Sequence, residues 1–194
     1  MKQIAKGDFV AGFDPGSRVA GYAIVQAKKN SAMLPQDFFV QEVGIIKLTT
    51  CESMMYRIKQ LHEAAFKVMA AYSPTICCIE KAFFGINASS ALKLGESRGA
   101  IISAAGRNKA DIREISPTRI KHVITGKGRA TKEEVAISLE SLTSFRRGKL
   151  PLDATDALAV TLACMISQEP ATHKNMNRNW HQIIKNKQKN LAPR

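Results

Sequence analysis

The sequence predicts an α/β fold in which a mixed five-stranded sheet is flanked by helices. Three observations carry this. The chain opens with three strand-like segments separated by a turn and a loop. Later apolar segments switch between the helical period and the strand period. The apolar run 75–79 falls between two helical stretches, so the sheet is not purely antiparallel.

Phe9 to Phe13 is a short apolar strand that ends at Asp14, where Pro15-Gly16-Ser17 forces a turn. Ala20 to Gln26 is a second strand. Phe38 to Leu48, a mixture of β-branched and aromatic residues, is a third, with Lys28 to Pro35 as the intervening loop. From Cys51 to Ala71 the residues Met54, Ile58, Leu61, Ala65, Val68 and Met69 recur at three- and four-residue steps, the helical period, and Ser73-Pro74 ends the helix. Thr75 to Ile79 has the unbroken apolarity of a central strand and stops on Glu80. A helix over about 88–106 carries Gly95 and Gly99 among Ala and Ser, and Ile112 to Ile115 is a short strand. Ser116-Pro117 has the cap-plus-proline signature of a helix start, Thr131 with Glu134 forms a capping box for the next helix, and Pro151 precedes a last one over roughly Asp153 to Ser167. Residues 1–169 are expected to form one domain. The segment 170–194, basic and without an acidic residue, reads as a flexible tail.

Apolar residues make up 45% of the chain and charged residues 23%, a balance that predicts a folded domain rather than disorder. The excess of 29 Lys and Arg over 16 Asp and Glu, a formal charge of +13, suits a polyanionic partner such as nucleic acid, and an anionic membrane surface or a ribosomal partner fits the same balance, so charge alone selects no function. No apolar run approaches the ~18 residues that span a bilayer. Residues 1–8 lack the apolar core of a secretion signal, so a cytoplasmic location without membrane attachment is expected. Cys51, Cys77, Cys78 and Cys164 show no zinc or redox spacing and are expected to be buried, reduced thiols.

The chemistry is expected where two strands end on a carboxylate, Asp14 and Glu80, and where the last helix begins with Asp153 and Asp156 three residues apart on one face. Four acids converging on one point repel unless a cation sits among them, and an all-carboxylate site suits Mg²⁺ or Mn²⁺. Each acid also has a plainer reading. Asp before Pro-Gly is a common turn former, and an Asp pair at a helix start can cap it or complement its dipole. Glu80 resists that treatment, because a carboxylate closing an apolar strand is costly to bury without a partner.

The combination resembles the RuvC family of Holliday-junction resolvases. The matching blocks are Asp14-Pro15-Gly16-Ser17-Arg18 with Gly21-Tyr22, then Ile79-Glu80, Asn87, Ser90 to Gly95 and Arg98-Gly99. Gly126-Lys127-Gly128-Arg129-Ala130 with Lys132, and Asp153 with Asp156-Ala157-Leu158-Ala159, complete them. They keep the family's order from Asp8 to about Gln168. The resemblance implies a ribonuclease H-like fold and a homodimer that nicks two opposed strands of a four-way DNA junction, working with a branch-migration helicase in recombination and repair. It implies that Asp14, Glu80, Asp153 and Asp156 hold metal ions, two per site. Lys121 and Lys132 then stand at the scissile phosphate, Phe83 stacks on bases, and Arg18, Lys93, Lys127 and Arg129 contact DNA.

Other features point elsewhere with less force. Gly126-Lys127-Gly128 lacks the full phosphate-loop pattern, and His62, His122, His173 and His181 lack metal-ligand spacing. Trp180, in the tail, has no assigned role. A nuclease of ribosomal RNA precursors shares the Asp-x-Gly turn but not the 87–99 block. An actin-like ATPase or sugar kinase needs two such domains. A non-enzymatic binder of junctions or RNA gains nothing from four acids that repel phosphate. The Gly95 and Gly99 helix fits either a dimer interface or close packing on its own sheet.

Overall fold

A computed structural model of the chain describes residues 4–5, 7–28, 38–81, 87–143, 145–146, 148 and 150–167. Phe83, Trp180 and the 170–194 segment lie outside these residues. The first three strands are β1 (Phe9–Asp14), β2 (Val19–Ala27) and β3 (Phe38–Lys47), paired antiparallel in succession. Helix α1 (Met54–Tyr72) leads to β4 (Ile76–Glu80), and α2 (Ala88–Arg107) leads to β5 (Asp111–Ile115). Three helices follow: α3 (Pro117–Thr125), α4 (Lys132–Leu142) and α5 (Leu152–Ile166). The sheet order is β3-β2-β1-β4-β5, with β4 parallel to both β1 and β5, so the mixed sheet expected from the element order is present.

Strand alternation divides the core in two. Ala11, Phe13, Ile24, Cys77 and Ile79 face one side and pack with Leu61, Met69 and Ile101 of α1 and α2. Val10, Val25, Ile76 and Cys78 face the other side and pack with Ile124, Leu139, Leu158 and Leu162 of α3, α4 and α5. Helix α5 is buried almost all round, from Ala154 to Met165, because it lies across β1 and β2 beneath α3 and α4. Its buried surface is therefore wider than the single apolar stripe of a surface helix.

The expected helix starts hold at the capping residues. The Ser116 hydroxyl accepts from the Arg119 amide, and Thr131 and Glu134 form the reciprocal capping box. Helix α1 starts at Met54, the first of the periodic apolar residues, rather than at Cys51 where the expected stretch begins. Ser53 caps it by accepting from the Tyr56 amide, which leaves Cys51 exposed ahead of it. The expectation of buried, reduced thiols consequently fails for three cysteines. Cys51 is exposed, and Cys78 and Cys164 form a disulfide between β4 and α5, while Cys77 remains a buried free thiol. Cys77 and Cys78 point to opposite faces of the sheet, and only Cys78 meets the helix that carries Cys164. No helix among the described residues is long and apolar enough to cross a membrane.

Candidate active site

The same alternation aims two acids at one face. Phe13 and Ile79 are register partners on the parallel strands β1 and β4, and both point into the α1 and α2 core. The next residue of each strand, Asp14 and Glu80, therefore points to the opposite face, where α5 lies. The two carboxylates end adjacent central strands, the position at which open α/β sheets place their ligands.

Two glycines allow α5 to complete the cluster. Gly21 is the register partner of Asp14 across β1 and β2, and a Cβ on it would lie 1.9 Å from the Asp153 carbonyl oxygen. Further along α5, a Cβ on Gly12 would lie 2.0 Å from the Thr161 hydroxyl oxygen. The missing side chains let α5 rest directly on the sheet, with its first turn beside Asp14. Pro151 occupies the N-cap of α5 and no side chain caps it, so Asp153 does not serve as a helix cap.

Carboxylate oxygens of Asp14, Asp153 and Asp156 lie within 4.8 Å of one another. Glu80 stands outside that trio but lines the same cleft, of about 220 Å³, with Asp14, Asp156, Lys121 and Lys132. Pro117, Ile120, Val135 and Ala159 supply apolar walls. Burial, reinforced by the charges of Glu80, Asp156 and Asp153 and opposed by Lys132, pushes the Asp14 carboxyl up to about 7. Burial and Asp156 likewise raise Glu80, while Lys132 and Lys121 pull it down. Lys132, exposed at the start of α4, donates to Asp156 Oδ2 at 2.5 Å. Burial alone would lower its pKa, but the bond to Asp156 and the charges of Asp156, Asp14 and Asp153 leave it raised. Acids at this spacing, held partly out of water, form a site that calls for further positive charge, and its all-oxygen donors suit a hard divalent ion.

The remaining basic residues named from the sequence are dispersed. Lys127 is ion-paired with Glu134 at 3.2 Å, and Arg129 is exposed in the loop between α3 and α4. Gly126 adopts φ 78° as the C-cap of α3, so this glycine-rich loop serves to end a helix. Arg18 and Lys93 line a separate pocket on the α1 and α2 side. Nothing in the sequence singles out Gly12 as a place where a helix rests on the sheet. For Gly21 a signal does exist, because the short turn 15–18 makes it the hairpin neighbour of Asp14, but the approach of α5 to it is visible only in the fold.

The sequence profile of a family described as crossover junction endodeoxyribonuclease RuvC matches residues 10–164. This chain belongs to the RuvC family. A RuvC protein of that description from Pelodictyon phaeoclathratiforme is 33% identical over 182 residues, covering 90% of this chain and 92% of the relative. One from Campylobacter jejuni is 37% identical over 153 residues, covering 79% of this chain and 92% of the relative. RuvC of T. thermophilus, solved in complex with a Holliday junction substrate, matches with a TM-score of 0.72 at 26% identity, over 80% of this chain and 92% of that one. A yeast mitochondrial Holliday junction resolvase shares the fold, with a TM-score of 0.60 at 12% identity over 95% of this chain and 86% of that one. The mixed five-stranded sheet with its helices is thus the fold of the RuvC family, as the sequence blocks implied.

Proposed function

We propose that the chain is a crossover junction endodeoxyribonuclease, which resolves four-way DNA junctions in recombination and repair by hydrolysing one phosphodiester on each of two opposed strands. The observation that carries the reading is the convergence of Asp14, Asp153 and Asp156, with Glu80 beside them, in a chain of the RuvC family. Those four carboxylates would hold Mg²⁺ or Mn²⁺, with room in the ligand count for two ions. The metal would supply activation of a water and neutralisation of charge on the leaving oxygen.

The chain's own residues do the rest. Lys132 and Lys121 border the acids, where their charges offset the repulsion between carboxylates and the incoming phosphate. The apolar wall of Ile120, Val135 and Ala159 keeps the cleft narrow. Arg18, Lys93, Lys127 and Arg129 contact the DNA backbone in this reading, and Phe83, outside the described residues, stacks on bases near the junction centre.

A homodimer supplies two identical sites related by the two-fold symmetry of the substrate. Helix α2 is the interface in this reading. A Cβ on Gly95 or Gly99 meets no described residue within 4 Å, and Leu92 on the same helix is 65% exposed. That open space argues against packing of the small-residue face on its own sheet and supports its use by a second copy. In the same reading the chain works in the cytoplasm with a branch-migration helicase as its partner, and the 170–194 segment is a basic tail that adds nonspecific affinity for DNA.

Incubation with a synthetic mobile four-way junction, with and without Mg²⁺, tests the function, with products sized on a denaturing gel. Paired nicks at symmetric positions that require Mg²⁺ are expected. Binding without any metal-dependent cutting would favour a non-enzymatic junction binder instead.

A further inference from the structure

On the other side of the β1–β2 turn from the acids lies a pocket of about 510 Å³. The turn supplies Ser17 and Arg18, the segment before α1 supplies Thr50, and α1 supplies Arg57. The first turns of α2 add Ser90, Lys93 and Leu94. The lining thus holds three cations and three hydroxyls, and no carboxylate. Among the described residues, none of the three cations forms an ion pair.

The pocket is held together by bonds between distant segments. Arg57 Nη1 donates to the Ser17 carbonyl at 2.8 Å, across 40 residues, and the Leu48 amide donates to the Arg18 carbonyl at 2.9 Å. These bonds lock the turn that follows Asp14 onto the start of α1 and the end of β3. Arg57 Nε is buried yet has no hydrogen-bond partner among the described residues, which is a cost unless a ligand accepts from it. A guanidinium donor in want of an acceptor, two further cations and hydroxyl donors without acidic competition form the chemistry that recognises phosphate.

We propose that this pocket is a second phosphate-binding site, which grips a backbone phosphodiester of the junction while another part of the DNA lies over the acid cleft. The inference rests on the junction-nuclease reading and adds Arg57, Ser17, Thr50 and Ser90 to the DNA-contacting residues. It also gives the turn a double task. One side carries Asp14, which repels phosphate, and the other grips phosphate, so the strand is fixed next to an acid cluster that by itself would push it away.

The test is a salt titration of junction binding in EDTA, where no cutting occurs. It uses full-length wild type, Arg18→Gln/Lys93→Gln and Arg57→Gln, with Lys59→Gln on α1, outside the pocket, as the control for removal of a charge. Removing one phosphate contact lowers the slope of log affinity against log salt by about 0.9, so the slope of the double variant should drop by about 1.8. Between 50 and 200 mM salt its affinity should then fall about twelvefold less than that of wild type, while Lys59→Gln follows wild type. The slope of Arg57→Gln should drop by about one unit, and should that variant fail to fold, the exposed pair Arg18 and Lys93 still decides the matter. A double variant with the wild-type slope overturns the proposal. So does the same unchanged slope accompanied by amide shifts of Ser17, Thr50 and Ser90 on adding inorganic phosphate, which would make the pocket a site for free phosphate. Failure of the nuclease reading looks different, since wild type itself would then leave branched DNA uncut in Mg²⁺.

Discussion

Asp14→Asn is expected to stabilise the metal-free protein at neutral pH while disabling it. The carboxyl rises from 3.8 to about 7 on folding, chiefly through burial and then through Glu80 and Asp156. A shift of roughly 3 units corresponds to ~4 kcal/mol, at about 1.4 kcal/mol per unit. Solvent in the open cleft screens part of this, so ~2 kcal/mol is the working figure. The direction follows from linkage. A carboxyl raised on folding contributes stability that is fully present below 3.8 and is lost as pH climbs through about 7. Wild type should therefore lose stability across that window, whereas the Asn variant, with no proton to lose there, should not. In EDTA at pH 8 the variant should melt higher by about 4–8 °C, taking ~2–4 °C per kcal/mol for a chain of this size. The gap should close toward pH 4. Adding Mg²⁺ should reverse the order, because only the intact acid cluster gains binding free energy. Thermal unfolding of both proteins from pH 4 to 8, with EDTA and with Mg²⁺, is the assay. A gap independent of pH, or a variant less stable than wild type at pH 8 without metal, would refute the claim that Asp14 is held in an acidic, partly dry cluster.

Three further outcomes are expected. Gly21→Ala drives a Cβ into the Asp153 carbonyl, so it should destabilise by ~1–3 kcal/mol or more in a urea titration and weaken Mg²⁺ binding measured by calorimetry; unchanged metal affinity would detach Gly21 from the site. Gly99→Leu should abolish dimers in light scattering while leaving the far-UV spectrum intact, and a variant that still dimerises would move the interface off α2. Removing residues 170–194 should lower junction affinity and its salt dependence without moving the cut positions; displaced cuts would show that the segment shapes the complex.

The sheet and most helix boundaries are legible in the sequence because each rests on local signals. Apolar runs that stop on an acid mark β1 and β4, Ser116-Pro117 and the Thr131 capping box mark helix starts, and Ser73, at φ 48°, closes α1 just before Pro74. What escapes depends on contacts between residues far apart in the chain, or on the cap that sets a helix end. Helix α1 starts only after Ser53 and not at Cys51, because the Ser53 side chain caps the Tyr56 amide and so sets the end. The Cys78–Cys164 pair spans 86 residues, and no spacing rule reveals that α5 lies across β4. The four acids can be named from strand ends and a three-residue step. Their approach to one another depends on the bare backbone at Gly12 and Gly21, visible only once α5 is seen against the sheet. Two readings of Gly95 and Gly99 are equal in sequence, and only the fold shows that no described residue of the chain packs against either position. Arg57 gives no signal on α1 because its partner is a backbone carbonyl in a distant turn.

In the proposed function Asp14, Glu80, Asp153 and Asp156 form one metal-dependent cutting site. The most direct test compares Asp14→Asn, Glu80→Gln, Asp153→Asn and Asp156→Asn, each alone, with wild type on a synthetic four-way junction in Mg²⁺. Binding is followed by gel shift and cutting on a denaturing gel. Every variant should bind at least as tightly as wild type, since each has shed a negative charge near the phosphates, and none should cut. A variant that still nicks both strands at the wild-type rate would contradict the assignment of that residue, and cutting by all four would contradict the site itself.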